Sequence, residues 1–132
     1  MSTINIFHLY PEHLNLYGDR GNILALVRRG EWHNITVNVH PVHPGEAVDL
    51  DRCDLLFMGG GQDLEQRLVA QDLQSRLSEL TRAIEKGLVI LAICGSYQLL
   101  GRQYITSQGE SIPGLGLLDF YTEGGSKRMI GN

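Results

Sequence analysis

The chain has 132 residues, 42% of them hydrophobic and 20% charged, with a formal net charge of -4. That length supports one domain able to bury roughly two-thirds of its unfolded surface without disulfide or metal staples. The mildly acidic balance disfavours nucleic acid or an anionic membrane as partner, and the composition is not that of a disordered chain. No charged-then-apolar leader opens the sequence, and the longest apolar run, Leu88 to Cys94, is far short of the roughly 20 residues of a membrane span. A cytoplasmic location is expected, with Cys53 and Cys94 both free thiols.

In chain order, Ile4 to Tyr10 ("INIFHLY") is β-rich and stops at Pro11. Asn22 to Gly30 ("NILALVRRG") predicts a helix with Ile23, Leu26 and Val27 inward, basic residues in its last turn and Gly30 as its stop. Ile35, Val37 and Val39 alternate as a strand that ends at Pro41. Asp54 to Met58 predicts a buried strand running into Gly59, Gly60 and Gly61. Leu64 to Lys86 reads as one long amphipathic helix, with Leu64, Leu68, Leu73, Leu77, Leu80 and Ile84 on its inner face and Gly87 closing it. Leu88 to Cys94 is the most apolar strand and is expected near the centre of the sheet. Tyr97 to Tyr104 predicts a helix leaving it, and the glycine-rich remainder predicts hairpins or loops at one edge.

Apolar strands alternating with amphipathic helices define an α/β fold: three layers, with a largely parallel sheet between helices. In such sheets ligands collect at the carboxyl ends of the strands. Two of those ends are unusual here, the glycine triplet and "AICGS". A nucleophile between strand and helix sits on a tight turn and requires small residues two positions to either side, which Ala92 and Ser96 supply around Cys94. The positive end of a helix opening just after Cys94 favours the nucleophilic thiolate. The N–H of Gly95, with one from the glycine turn, is suited to a developing oxyanion. Set against this, a cysteine ending an apolar strand, as Cys94 does, is more often a packing residue than a catalytic one; Cys53, which precedes a buried strand, is expected to be structural. "HPVH" (His40 to His43) has two imidazoles but no cysteine or carboxylate cluster beside it, so no metal site is expected. The glycine triplet lacks the lysine of a P-loop.

"LAICGSYQLLG", "LYPEHLNLYGDRGNILALVRR", "LLFMGGGQDLEQ" and "IPGLGLLDFYT" together resemble the class I (triad) glutamine amidotransferases of the cobyric-acid-synthase-like branch, over essentially the whole chain. The resemblance implies a flavodoxin-like sheet and a glutaminase in which Cys94 attacks the side-chain amide of L-glutamine. It implies oxyanion-hole N–H groups from Gly60 and Gly95, a pocket-lining Gln98, and Arg128 pairing with the substrate α-carboxylate. Tyr17, Gly18 and Asp19 resemble a segment kept near the active-site face, although "YGDRGN" is also an ordinary turn. The family's activating histidine lies well downstream of the elbow, whereas His8, His13, His33, His40 and His43 all precede Cys94. The chain is therefore expected to be a C-terminally incomplete, N-terminal portion of the domain, without full turnover by itself. The implied partner is a Mur-ligase-like synthetase subunit that carries ATP and Mg and amidates D-glutamate of the lipid II stem peptide. No cofactor is implied in this chain. Two alternatives remain open: a catalytically silent binding or docking module, and a cobyric acid synthase-type domain acting on a corrin carboxylate.

Overall fold

A computed structural model describes residues 2–16 and 18–131. Four strands form a parallel sheet in the order β2-β1-β3-β4: β1 is Ser2–Leu9, β2 Ile35–Val42, β3 Leu55–Met58 and β4 Val89–Ala92. The order reverses at β1, since the chain steps to one side for β2 and to the other for β3 and β4. Crossovers that keep one hand then lay their helices on opposite faces. Helix α1 (Asp19–Trp32) packs Ile23, Leu26 and Val27 with Ile6, Val37, Val39 and Phe57. On the other face, α2 (Asp63–Ser75) and α3 (Leu77–Glu85) bring Val69, Ala70, Leu73, Leu80 and Ala83 to Phe7, Leu9, Leu56 and Met58. Alternation along β1 and β3 assigns Ile6 and Phe57 to one layer and Phe7 and Leu56 to the other, as period-2 side-chain geometry requires. The fold is the expected three-layer α/β sandwich.

Three local expectations are corrected. Strand β4 pairs only with β3 and forms an edge of the described sheet. The α1 face is covered around β1 and β2, which leaves Val89 and Leu91 59% and 38% exposed. Apolarity in this strand thus marked residues that are not covered within the described chain. The long helix is two, α2 and α3, broken at Arg76. Its inner stripe in α2 is Gln66, Val69, Ala70 and Leu73, while Leu64 and Leu68 face outward. Helix α4 spans only Gly95–Leu100, and Tyr104 belongs to strand β5 (Gln103–Ile105).

Helix α4 is short because other groups take its last carbonyls. Leu115 N–H donates to Leu99 O at 2.8 Å and Leu118 N–H to Leu100 O at 3.1 Å, so "PGLGLL" closes the end that a further turn would have used. A Cβ at Gly101 would stand 2.6 Å from the Phe120 ring, so only glycine admits that approach. The glycine-rich tail forms a second small sheet, β6-β5-β7, with β6 at Ser111–Pro113 and β7 at Thr122–Glu123. Within the described residues no helix is long and apolar enough to cross a membrane.

A buried polar network ties the α2–α3 junction to β1. Arg76, 7% exposed, donates from Nε to Asp72 Oδ2 at 2.8 Å, Tyr10 Oη donates to the same oxygen, and Gly45 N–H donates to Oδ1 at 2.7 Å. Burial works against the Asp72 carboxylate, but the hydrogen bonds from Tyr10, Arg76 and Gly45 outweigh it and hold its pKa below the ordinary 3.8. A carboxylate depressed in the folded state contributes stability above its unfolded pKa and loses it as the pH falls through the folded one. Asp72→Ala leaves Arg76 buried without its counter-charge and is expected to cost about 3 kcal/mol in urea denaturation at neutral pH. Its deficit relative to wild type should shrink as the pH drops below the carboxylate range; a deficit independent of pH contradicts the assignment.

Candidate active site

Cys94 stands between β4 and α4 with φ 52° and ψ -109°, a backbone conformation that a side chain resists. The strain is held from below. Ser96, fully buried, accepts from Ile93 N–H at 2.9 Å through its hydroxyl oxygen and donates that hydroxyl to Met58 O at 2.9 Å, while Ile93 N–H also reaches Met58 O at 3.0 Å. The end of β4 is thereby fastened to the end of β3, and the turn from β4 into α4 has to carry Cys94 outward. Small size is one reason for Ser96; its hydroxyl is a second that the size rule does not reveal. Cys94 is exposed, whereas Cys53 is buried, and burial together with the Asp54 charge pushes the Cys53 thiol up to about 11.

Cys94 opens on a cavity of about 890 Å³ whose lining includes Gly61, Asp63, Gln66, Gln98, Tyr104 and Arg128. Three residues singled out in the sequence, Cys94 and Gln98 at the start of α4 and Arg128 thirty residues later, line one cavity. None of the five histidines lines this cavity among the described residues. A larger share of its wall than expected comes from the glycine-rich tail, where Ser107 and Gly124 to Ser126 flank Arg128.

The glycine turn is corrected by one residue. Gly60 N–H donates to Asp19 Oδ2 at 2.9 Å, so it is turned toward the buried Asp19 carboxylate and away from an oxyanion role in this arrangement. Gly61, not Gly60, lines the cavity, and its N–H has no hydrogen-bond partner among the described residues. Gly95 begins α4, and its N–H is one of the donors that a helix start leaves unpaired. Asp19, the first residue of α1, therefore shapes the turn through its carboxylate. A Cβ on Gly59 would lie 2.5 Å from Asp19 Cγ, and one on Gly61 2.7 Å from Leu14 Cδ2, so the β1–α1 loop packs against a turn that only glycines permit. Tyr17 lies outside the described residues.

Sequence reasoning missed Gln66, Asp63 and Tyr104. Gln66 is 2% exposed and donates to both Gly61 O and Gln98 Oε1 at 3.0 Å. The Tyr104 phenol has its pKa raised by burial first, then by its hydrogen bond to Asp63, the Asp63 charge and Cys94, which places it beside both groups. A tyrosine assigned to a helix end gave no sign of this. Gln66 lies on the face opposite the predicted stripe of Leu64 and Leu68, so hydropathy gave no signal for it.

Residues 5–132 match the CobB/CobQ-like glutamine amidotransferase domain. The chain belongs to that family. Over all 132 residues it is 46% identical to the lipid II isoglutaminyl synthase (glutamine-hydrolyzing) subunit GatD of Staphylococcus aureus (strain N315), covering 54% of that relative. It is 42% identical over 119 residues, 90% of the chain and 46% of the relative, to the subunit of the same name from Streptococcus pneumoniae (strain ATCC BAA-255 / R6). A probable cobyric acid synthase of Methanopyrus kandleri is 46% identical over 120 residues, 78% of this chain but 24% of its own length. The chain spans about half the length of the GatD relatives it matches.

Strain at Cys94 has a measurable signature. Glycine adopts φ 52° without the side-chain penalty, so Cys94→Gly should exceed Cys94→Ala in stability by about 1 kcal/mol, reversing the usual order of those two residues. Equal stability, or alanine ahead, in chemical denaturation means that the turn relaxes when the thiol is removed.

Proposed function

We propose that the complete protein is the glutaminase component of a lipid II isoglutaminyl synthase. Cys94 Sγ bonds to the side-chain amide carbon of L-glutamine while the thiol proton leaves Sγ. Collapse of the tetrahedral intermediate breaks the C–N bond, and the nitrogen departs with a proton as ammonia. Water then cleaves the glutamyl thioester to give glutamate and restore the thiol. The resemblance implies a histidine as the proton acceptor; among the described residues no histidine lines the cavity. Gly95 and Gly61 donate to the oxyanion, Gln98 and Arg128 hold the amino-acid end, and the guanidinium fork suits an α-carboxylate.

The observation that carries this reading is the strained Cys94 elbow opening on a cavity shared with Gln98 and Arg128. Similarity over all 132 residues of this chain to a subunit of a lipid II isoglutaminyl synthase, covering 54% of that relative, supports the lipid II acceptor over a corrin carboxylate, because the cobyric acid synthase match covers 78% of the chain. Ammonia passes to a Mur-ligase-like, ATP- and Mg-dependent synthetase in the cytoplasm, which amidates D-glutamate of the stem peptide. In the complex of the complete protein with that synthetase, Cys94→Ser should abolish glutamine-dependent amidation and leave ammonia-dependent amidation within about twofold of wild type. Loss of both activities contradicts this division of labour, and retention of both removes Cys94 from the chemistry.

A further inference from the structure

Gln66 is buried on the inner stripe of α2, where a methionine or leucine would fill the same space. Packing does not account for its amide. Both of its Nε2 protons are used, on Gly61 O and on Gln98 Oε1, each at 3.0 Å, yet Oε1 is buried with no partner among the described residues. An orphaned buried carbonyl costs about 1–3 kcal/mol that an apolar side chain would avoid. Gln66 also lies directly beneath the elbow: a Cβ at Gly95 would stand 2.6 Å from its Nε2 and 2.8 Å from Gly61 O. One amide thus touches the glycine turn, the first residue of α4 and the cavity glutamine.

These contacts form a chain of orientations with one possible sense. Gly61 O is a backbone carbonyl and can only accept, so the end of Gln66 facing it has to be the donor Nε2. That same Nε2 faces Gln98, so the end of Gln98 turned toward it has to be Oε1. The NH₂ end of Gln98 is then the end left for a ligand. Without Gln66, the two ends of the Gln98 amide are nearly equal in size and shape, and nothing else in the network distinguishes them.

We infer that Gln66 is a positioning residue that locks Gln98 with its amide NH₂ toward the cavity, making Gln98 a donor selective for an oxygen-bearing group of the substrate. This inference rests on the glutaminase reading, and it adds to it the device that sets the polarity of the pocket. Substrate glutamine carries such oxygens in its carboxylate and its amide carbonyl. A ligand presenting only a cationic nitrogen at that point meets a repelling wall.

The test is steady-state glutamine hydrolysis by the complete protein with its synthetase. Gln66→Met keeps the shape and removes both donors. It should raise KM for glutamine about tenfold while kcat changes less than about twofold. In a Gln98→Ala background the same substitution should leave KM unchanged, because the group it orients is gone. Gln66→Glu provides a readout that packing alone does not move: a carboxyl carries at most one proton, which Gly61 O takes, so only acceptor oxygen faces Gln98 and draws its NH₂ end away from the cavity. Its KM should therefore rise at least as much as that of Gln66→Met, although the residue keeps its size. The inference is overturned if Gln66→Met leaves KM unaltered, if the penalty persists undiminished beside Gln98→Ala, or if Gln66→Glu binds glutamine as wild type does. A wild-type protein that hydrolyses no glutamine overturns the glutaminase reading itself, and this inference with it. Normal wild-type turnover with silent Gln66 variants rejects the inference alone.

Discussion

Everything at this site depends on one unfavourable backbone conformation. Cys94 sits at φ 52° and ψ -109°, where a Cβ is poorly accommodated, and a free peptide would relax out of it. It persists because the ends of β3 and β4 are joined by the Ser96 hydroxyl and by the Ile93 to Met58 hydrogen bond, which leave the intervening residue no extended path. The consequence is functional as well as geometric. A cysteine continuing β4 would point along the sheet, while a cysteine forced into the left-handed region is presented at its carboxyl edge, beside the first N–H groups of α4.

That elbow would be idle without the turn opposite it. Gly59 and Gly61 let the β1–α1 loop approach to distances a Cβ would not permit, and the buried Asp19 carboxylate fixes the Gly60 amide between them. Gly61 is left facing the cavity, its carbonyl bonded to Gln66. Two strand ends, two helix starts and one buried amide are therefore mutually constrained, so a change at Gln66 or Gly95 is transmitted to the ligand-facing groups without touching a ligand. Arg128 reaches the same cavity from the glycine-rich tail, which also caps α4. The tail is both a structural plug and a wall of the site.

Cys94, Gln98 and Arg128, which line one cavity, could be listed as candidates from the sequence because each lies at a strand-to-glycine junction or in a recognisable segment. What could not be read depends on relations across the sheet. Gln66 was hidden because Leu64 and Leu68 are the more apolar residues of its turn, and hydropathy assigns them the inner face that Gln66 takes. Gly60 and Gly61 are indistinguishable until Asp19 is known to occupy one of their amides. Strand β4 looked central because apolar content reports what a residue would bury, whereas its position is set by which neighbours are present. Helix α4 was expected to run to Tyr104 because nothing local stops it before Gly101; its end is imposed by carbonyl bonds from residues some fifteen positions later.

Cys94 is exposed at a cavity proposed to admit glutamine, while Cys53 is buried in the core. Intact mass after treatment of this chain with a diazo-ketone analogue of glutamine, followed by peptide mapping, tests it most directly. A single adduct is expected, mapped to Cys94 and suppressed by excess glutamine. No adduct, or equal labelling of Cys94 and Cys53 that glutamine does not suppress, contradicts it.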